Sequence, residues 1–431
     1  MNIKNIYQLY STSSGIEINS KKVKKGSIFI ALKGKNFDGN QFAYEAISNG
    51  AMLAIVDNKK YVLCDKIIFV YNTLFFLQKL AIYHRHRLHH IPIIAITGSN
   101  GKTTTKELTA TILGKKYNKV HCNKNNFNNH IGIPLTILSM PMDTQISVVE
   151  IGANHEKEIE KMCNIINPDY GYITNFGKAH LEGFKNVKGI IRSKLELYNF
   201  LKKKNKLVFI NGDDPIQLSN SIGMNRYIFS GKKKKTDINV EYLWEKNSIK
   251  STLYIKNVKI ISSLIGNYNL YNIASAITIG TYFKISLKKM KEAIEEYVPN
   301  NYRSQILVKK NIQIIIDCYN ANPTSMIEAL IFFNNIKGNK MVILGDMLEL
   351  GSFSNSEHEK IISFIKKSNI SIAFLIGNIF FNTKNTSCKI KKFISKKNFV
   401  EWIKKYSIQK TDYLLIKGSR NIALESLISL I

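Results

Sequence analysis

One turn, Thr97-Gly-Ser-Asn-Gly-Lys-Thr-Thr-Thr105, holds the residue types that a phosphate cradle needs. Gly98 and Gly101 let the backbone come close to a phosphate, with Ser99 and Asn100 between them. Lys102 adds a point charge, and Thr103 and Thr104 open a helix whose first N–H groups lack helical partners. The Thr103 hydroxyl is placed to hold Mg²⁺. The usual phosphate loop has four residues between its glycines, whereas this one has two. A glycine turn that joins a strand to a helix and binds nothing is the competing reading.

Other segments carry chemistry of the same kind. Glu150 ends the apolar run Ile146-Ser-Val-Val-Glu-Ile151, and in phosphate-loop proteins an acid there holds Mg²⁺ directly or through water. The alternative is a strand-end salt bridge. His180 lies in the glycine-flanked loop Gly177-Lys-Ala-His-Leu-Glu-Gly183, past the end of an apolar run. Lys194 stands where Arg192-Ser-Lys-Leu-Glu-Leu-Tyr198 starts a helix, and by pattern alone it is a surface lysine. His84-Arg-His-Arg-Leu-His-His90 is a metal candidate, but its charge and position favour a basic helix end and linker.

Three later runs share one design. Ile312–Asp317, Met341–Gly345 followed by Asp346, and Tyr413–Lys417 followed by Gly418-Ser-Arg420 are each a buried strand with polar residues at its end. Side by side they form a polar crevice above a parallel sheet. Arg303 precedes the first of them. Near the start of the chain, the run Ser27–Leu32 leads into the turn Lys33-Gly-Lys-Asn-Phe-Asp-Gly39, again at a strand's C-terminal end.

These residues need α/β scaffolding, and 431 residues suffice for two or three domains with separate cores. The pattern predicts an α/β fold of three domains over 1–88, 89–298 and 299–431, the third starting near Asn300. The first has strands over Ser27–Leu32 and Ala51–Val56 with a helix over Gln41–Ser48. The second is a phosphate-loop domain with a mostly parallel sheet. There Ile93–Ile96, Ile146–Ile151, Tyr170–Asn175 and the run from Leu207 are strands, and residues 237–262 add antiparallel strands to that sheet. The third is Rossmann-like.

Composition excludes several classes. There is no apolar run of about 18 residues to span a membrane, and Met1–Tyr7 lacks the apolar stretch of a signal peptide. Five scattered cysteines without a Cys-x-x-Cys pair point to a reducing compartment, so a cytoplasmic location is expected. The net charge of +31 suggests nucleic acid as a partner. The lysines are spread along the chain, however, and runs such as Lys232–Lys235 fall where solvated turns are expected, so no nucleic-acid partner is expected.

The shortened loop resembles that of the Mur ligases, ATP-dependent amide-forming enzymes related to folylpolyglutamate synthase. Gly152-Ala-Asn-His155, Ala179-His-Leu-Glu182 and Ser193-Lys-Leu-Glu196 are similar to that family's central domain. The resemblance implies that Gly98, Ser99, Asn100, Gly101, Lys102, Thr103 and Thr104 bind ATP. It gives Thr103, Glu150 and His180 to Mg²⁺ and makes Lys194 a carbamylated support for a second Mg²⁺, with Lys102, His180 and Lys194 catalytic. Asn19–Gly39 resembles the family's N-terminal nucleotide-sugar module, which implies substrate contacts at Ser20, Lys21, Lys33 and Asp38. Asn19-Ser-Lys21 stands there in place of the usual Asp-Ser-Arg.

Asn128 and Asn129 match the family's substrate loop. Gly266-Asn-Tyr-Asn-Leu-Tyr-Asn272 resembles its adenine segment with Tyr268 replacing a histidine, so Asn269 and Asn272 are implied near the base. Lys157 stands where the family tends to have glycine. Arg303 is implied at the ATP phosphates, Asp317 at the ribose, and Asn322 and Pro323 near the adenine. Tyr319–Pro323, Gly345–Gly351 and Lys417–Arg420 are similar to the members that add D-alanyl-D-alanine, which implies substrate contacts at Asp346, Lys417 and Arg420. The implied substrates are UDP-N-acetylmuramoyl-tripeptide and D-alanyl-D-alanine, handled by a monomer without membrane insertion. A folate-polyglutamylating ligase and a basic ATPase acting on nucleic acid are the rival functions.

Overall fold

β-branched runs that end in polar turns form the strands, much as their pattern predicts. The computed structural model describes residues 3–431 except 125, 233–235, 244–248, 300–301, 385–386 and 407–410. Lys233–Lys235 and the expected domain start at Asn300 therefore lie outside the described residues. A seven-stranded sheet runs in the order Ile238–Asn239, Asn225–Ser230, Leu207–Asn211, Tyr170–Ile173, Ile93–Thr97, Ile146–Glu150 and Val120–Cys122. Strand Asn225–Ser230 was not expected.

The chain divides into two compact units, Met1–Ala95 with Tyr117–Ala153 and Lys157–Gly171, and Ile96–Lys116 with Asn154–Glu156 and Tyr172–Ile431. In the first, Ile16–Glu17, Ile28–Ile30, Leu53–Val56 and Ile67–Phe69 form a four-stranded parallel sheet. Its apolar face packs on helix Ala43–Ser48 through Phe29, Ala46, Ala54 and Val56.

Helix Thr73–Arg87 is capped by Asn72, whose side chain accepts from the Phe75 N–H. Its end corrects the linker expectation. His84 and Arg85 are buried, whereas His86, Arg87, His89 and His90 are exposed. Nε2 of His84 donates to the Met140 carbonyl at 3.0 Å, so Nδ1 accepts from the Tyr7 hydroxyl at 2.9 Å. Burial pushes this imidazole below its usual range, which favours the neutral form that these bonds require. Arg85 donates to the carbonyls of Ile166 and Asn167 and pairs with Asp169 at 3.3 Å.

In the second unit a six-stranded sheet has the order Gln305–Lys309, Ile312–Asp317, Tyr413–Lys417, Lys340–Gly345, Ile372–Ile376 and Ile390–Phe393. All are parallel except the antiparallel edge strand Gln305–Lys309. The three strands with polar ends are thus neighbours, and Asp317 lies in register with Lys417. Ile314, Ile316, Ile343, Phe374, Phe399 and Ile416 build the core on one face.

Two sequence readings need correction here. Among the described residues of that segment only Ile238–Asn239 joins the seven-stranded sheet, and it does so in parallel. Glu241–Leu243, Lys250–Ile255 and Val258–Ile265 instead form a separate antiparallel sheet. The turn Lys256-Asn257 has φ of 46° and 64° at its two positions, which turns the second strand straight back on the first. The second correction concerns the helix bearing Lys194. It spans Val187–Lys203, capped by Asn186, so Arg192 lies inside it rather than at its start.

Candidate active site

Strand Ile93–Thr97 ends in the glycine loop, and helix Lys102–Gly114 follows it. Gly98 and Gly101 have φ of 141° and 78°. A Cβ at Gly98 would lie 1.9 Å from the Thr174 hydroxyl, and one at Gly101 would lie 2.3 Å from the Asn272 amide oxygen. Backbone conformation and close approach therefore both require glycine.

The loop is held by groups remote in sequence. Ser99 N–H donates to the Asn175 carbonyl at 3.0 Å, and Asn100 N–H donates to the Asn175 side chain at 3.1 Å. The Asn175 amide and the Thr174 hydroxyl donate to the Asn100 carbonyl at 3.0 and 2.5 Å. Lys102 Nζ donates to the carbonyls of Gly98 and Ser99 at 2.8 and 3.1 Å. Thr103 and Thr104 are buried in the first helical turn, and the buried Ser99 hydroxyl has no hydrogen-bond partner among the described residues.

Asn272 accepts from Thr105 at 3.1 Å and donates to Asn269 at 2.8 Å, and Asn269 donates to the Ile265 carbonyl at 2.7 Å. Asn322 caps helix Pro323–Asn334, accepting from Ser325 N–H, and donates to the Asn100 side chain at 2.6 Å. The three implied adenine asparagines thus lie around the phosphate loop and the helix after it.

Lys194 corrects the surface reading, being only 2% exposed in helix Val187–Lys203. Its Nζ lies 5.0 Å from the Phe184 ring centroid. Burial of an ammonium carries a desolvation cost, to which an aromatic face contributes a partial offset. His180 sits at φ 52°, and its Nδ1 pairs with the Glu349 carboxylate. The Glu182 N–H also donates to the Glu349 carbonyl, at 3.1 Å.

At the six-stranded sheet, Lys417 Nζ lies 2.5 Å from Asp317 and 3.5 Å from the Asn320 carbonyl. The Arg303 guanidinium stacks 3.4 Å from the Tyr319 ring centroid, between Tyr302 and Ser304 at φ of 58° and 50°. Tyr268, which replaces the family's histidine, shares a 3.1 Å hydrogen bond with Ser304. Arg420 pairs with Glu425 at 2.8 Å. Asp346 is buried, and its two oxygens accept the Ile379 and Phe380 N–H groups at 2.9 Å each. In this structure it supports a turn rather than facing outward.

Within the first unit, Glu150 is buried and accepts from the Asn128 amide at 2.8 Å. Its backbone N–H and carbonyl are bonded to the Asn123 side chain. Asn129 precedes helix Gly132–Leu138, and its side chain accepts from the Ile131 and Gly132 N–H groups. Asn19 accepts from Lys21 N–H at 3.0 Å beside the buried Ser20, a capping role that aspartate and asparagine fill alike. Lys33 pairs with Asp57 at 2.9 Å, while Asp38 accepts from Asn40, which also donates to Asp57. Lys157, where the family tends to have glycine, has φ 71°.

Sequence reasoning missed Asp57, Thr174, Asn175 and Glu349. Thr174 and Asn175 lay at the polar end of the strand read over Tyr170–Asn175 and Glu349 inside the quoted run Gly345–Gly351, whereas Asp57 was in no quoted run. Among the described residues no three His, Cys, Asp or Glu side chains cluster as a metal site. Glu150, His180 and the Thr103 hydroxyl are nevertheless each a donor type that a divalent cation accepts. As an ammonium Lys194 would repel such a cation, and carbamylation would reverse that sign.

Comparison with known proteins decides the family. Residues 12–95 match the Mur ligase family catalytic domain, 96–280 the Mur ligase middle domain, and 302–420 the Mur ligase glutamate ligase domain. The chain belongs to the Mur ligase family. The UDP-N-acetylmuramoyl-tripeptide–D-alanyl-D-alanine ligase of Bacillus subtilis is 32% identical over 96% of this chain and 92% of its own length. Its Escherichia coli counterpart is 28% identical, over 97% and 93%. The MurF ligase of Thermotoga maritima, solved in complex with ADP, superposes with a TM-score of 0.83 at 27% identity, covering 98% of this Mur ligase and 97% of that chain.

Proposed function

We infer that this Mur ligase adds D-alanyl-D-alanine to UDP-N-acetylmuramoyl-tripeptide, with ATP converted to ADP and phosphate, in peptidoglycan precursor synthesis. The carrying observation is near-full-length similarity to ligases of that name, including one 32% identical over 96% of this chain. The folate-polyglutamylating and nucleic-acid alternatives have no comparable support.

A carboxylate and an amine form a salt at neutral pH, so the acid must be activated. The tripeptide carboxylate attacks the γ-phosphorus, the bond to ADP breaks, and an acyl phosphate forms. The D-alanyl-D-alanine amine then attacks the acyl carbon, phosphate leaves, and the nitrogen gives up a proton. Positioning and charge neutralisation suffice for both steps without a protein nucleophile.

Residue roles are assigned on chemistry and family resemblance. The 98–104 loop with Lys102 takes the ATP phosphates, Arg303 adds charge to them, and Asp317 takes the ribose. Asn269, Asn272, Asn322 and Pro323 border the adenine. By the resemblance Thr103, Glu150, His180 and a carbamylated Lys194 would hold Mg²⁺, which would supply Lewis-acid neutralisation of phosphate charge when bound. Ser20, Lys21, Lys33, Asp38, Asn128 and Asn129 meet the UDP-sugar substrate, and Lys417 and Arg420 meet the peptide end. For Asp346 we retain only an indirect role through its turn. Functional domains over 1–88, 89–298 and 299–431 fit these assignments. A cytoplasmic monomer fits the chemistry, and no described helix is long and apolar enough to cross a membrane.

ADP release with UDP-N-acetylmuramoyl-tripeptide, with and without D-alanyl-D-alanine, tests the reading. Release should require both substrates, and Lys102→Ala should lower it about 10²-fold or more without unfolding the protein. Near-normal release by that variant, or indifference to D-alanyl-D-alanine, refutes the reading.

A further inference from the structure

Glu349 meets His180 across 169 positions of sequence, and both residues have left-handed backbone conformations, at φ 61° and 52°. Residues other than glycine are uncommon there, glutamate more so than histidine, and two such residues in contact mark a junction that its surroundings enforce. The junction has two parts. The main-chain bond from Glu182 N–H to the Glu349 carbonyl, 3.1 Å, holds the turn to the His180 loop without any side chain. The Glu349 carboxylate is then left to accept from His180 Nδ1.

We propose that Glu349 is a positioning residue for His180. Its carboxylate fixes the tautomer with hydrogen on Nδ1, so Nε2 keeps the lone pair that a divalent cation needs. The proposal rests on the reading of His180 as a metal ligand. It adds that a residue beyond the strand Lys340–Gly345 prepares this ligand, so metal affinity depends on the turn after that strand.

Mn²⁺ binding to the full chain with a non-hydrolysable ATP analogue, read as free Mn²⁺ by EPR, tests this in wild type, Glu349→Ala, Glu349→Gln and His180→Ala. Loss of such a partner typically lowers metal affinity about 10- to 100-fold. That is the loss expected for Glu349→Ala, with a smaller loss for Glu349→Gln, whose amide oxygen still accepts from Nδ1–H. Nitrogen-15 histidine spectra should show a single Nδ1–H tautomer for His180 in wild type and a mixture in Glu349→Ala. A purely structural role would leave that tautomer unchanged. Should Glu349→Ala not fold, Glu349→Gln alone decides, by showing or lacking weakened Mn²⁺ binding. If the Glu349 variants bind Mn²⁺ like wild type while His180→Ala does not, the positioning role is overturned and the metal reading stands. If His180→Ala also binds normally, His180 is no ligand and both fail.

Discussion

Asp317→Asn should destabilise the C-terminal sheet far more than its small change in shape suggests. Lys417 is 2% exposed and, among the described residues, its ammonium is within hydrogen-bond reach of Asp317 at 2.5 Å and the Asn320 carbonyl at 3.5 Å. An asparagine keeps the shape but leaves the buried charge with neutral hydrogen-bond acceptors, the Glu328 carboxyl acting on it only through space. Breaking such a pair costs about 3–5 kcal/mol. Because the Asp317 side chain is 17% exposed, water can replace part of what is lost, so the low end, about 3 kcal/mol, applies. Lys417→Met removes the ammonium and leaves a carboxylate that water can reach, at a cost of about 1–2 kcal/mol. The double variant should fall well short of the summed costs, with a coupling of about 2 kcal/mol. Urea unfolding followed by Trp402 in a Trp244→Phe background reads this region. The indole packs on Phe374 and Phe399 at ring separations of 5.3 and 6.2 Å. With a slope of about 1.5–2 kcal/mol/M the midpoint should drop by ~1.5–2 M. A cost below about 1 kcal/mol, or costs that simply add, would refute the claim that burial of Lys417 makes the pair matter.

Lys194→Ala should lose ligation, and a short carboxylic acid should restore more of it than bicarbonate does, because only the former supplies a ready carboxylate. Full activity of the unrescued variant removes the carbamate from the mechanism. Glu328, on helix Pro323–Asn334, has its carboxyl raised by burial to about 7 from an ordinary 4.5, against a lowering by Lys417. The folded chain therefore holds a proton that the unfolded chain gives up between those values, and wild-type stability falls as pH rises from about 4.5 to 7. Glu328→Gln should match wild type near pH 4.5 and exceed it at pH 8 by up to about 3 kcal/mol in urea melts. A difference independent of pH contradicts the raised value.

Most strands were legible because a buried parallel strand must be a short apolar run, and its polar end must lie at the sheet's edge. That logic puts Asp317, Asp346 and Lys417 at strand ends from the sequence alone, and the three strands are neighbours in the sheet. Lysine and histidine were harder. Lys194 falls on a helical pattern that also fits a surface residue, and its burial beside Phe184 appears only in the folded chain. His84 and Arg85 looked like linker charge, yet distant carbonyls at Met140 and Ile166 make their burial tolerable. The Lys256-Asn257 and Lys310-Asn311 turns both have positive φ, a hairpin signal that the lysine-rich composition concealed.

The bracing role of the asparagines around the phosphate loop was the least legible part, since the resemblance placed Asn272 and Asn322 only near the adenine, and their chemistry explains why. Asn175, Asn272 and Asn322 come from a strand end, the start of a helix and a helix cap in another sheet layer. Each gives and receives: Asn175 accepts from Asn100 N–H and donates to its carbonyl, Asn272 links Thr105 to Asn269, and Asn322 links Ser325 to Asn100. A carboxylate in these places would repel the phosphate that the loop is built to meet, and a lysine or arginine would compete with Lys102 for it. The neutral amide satisfies a donor and an acceptor while adding no charge. In a chain so rich in asparagine, that requirement leaves no contrast for a sequence reader to see. Cradle residues are recognisable because charge and glycine are unusual there, whereas the groups that hold them rigid must be electrically quiet and so resemble the background.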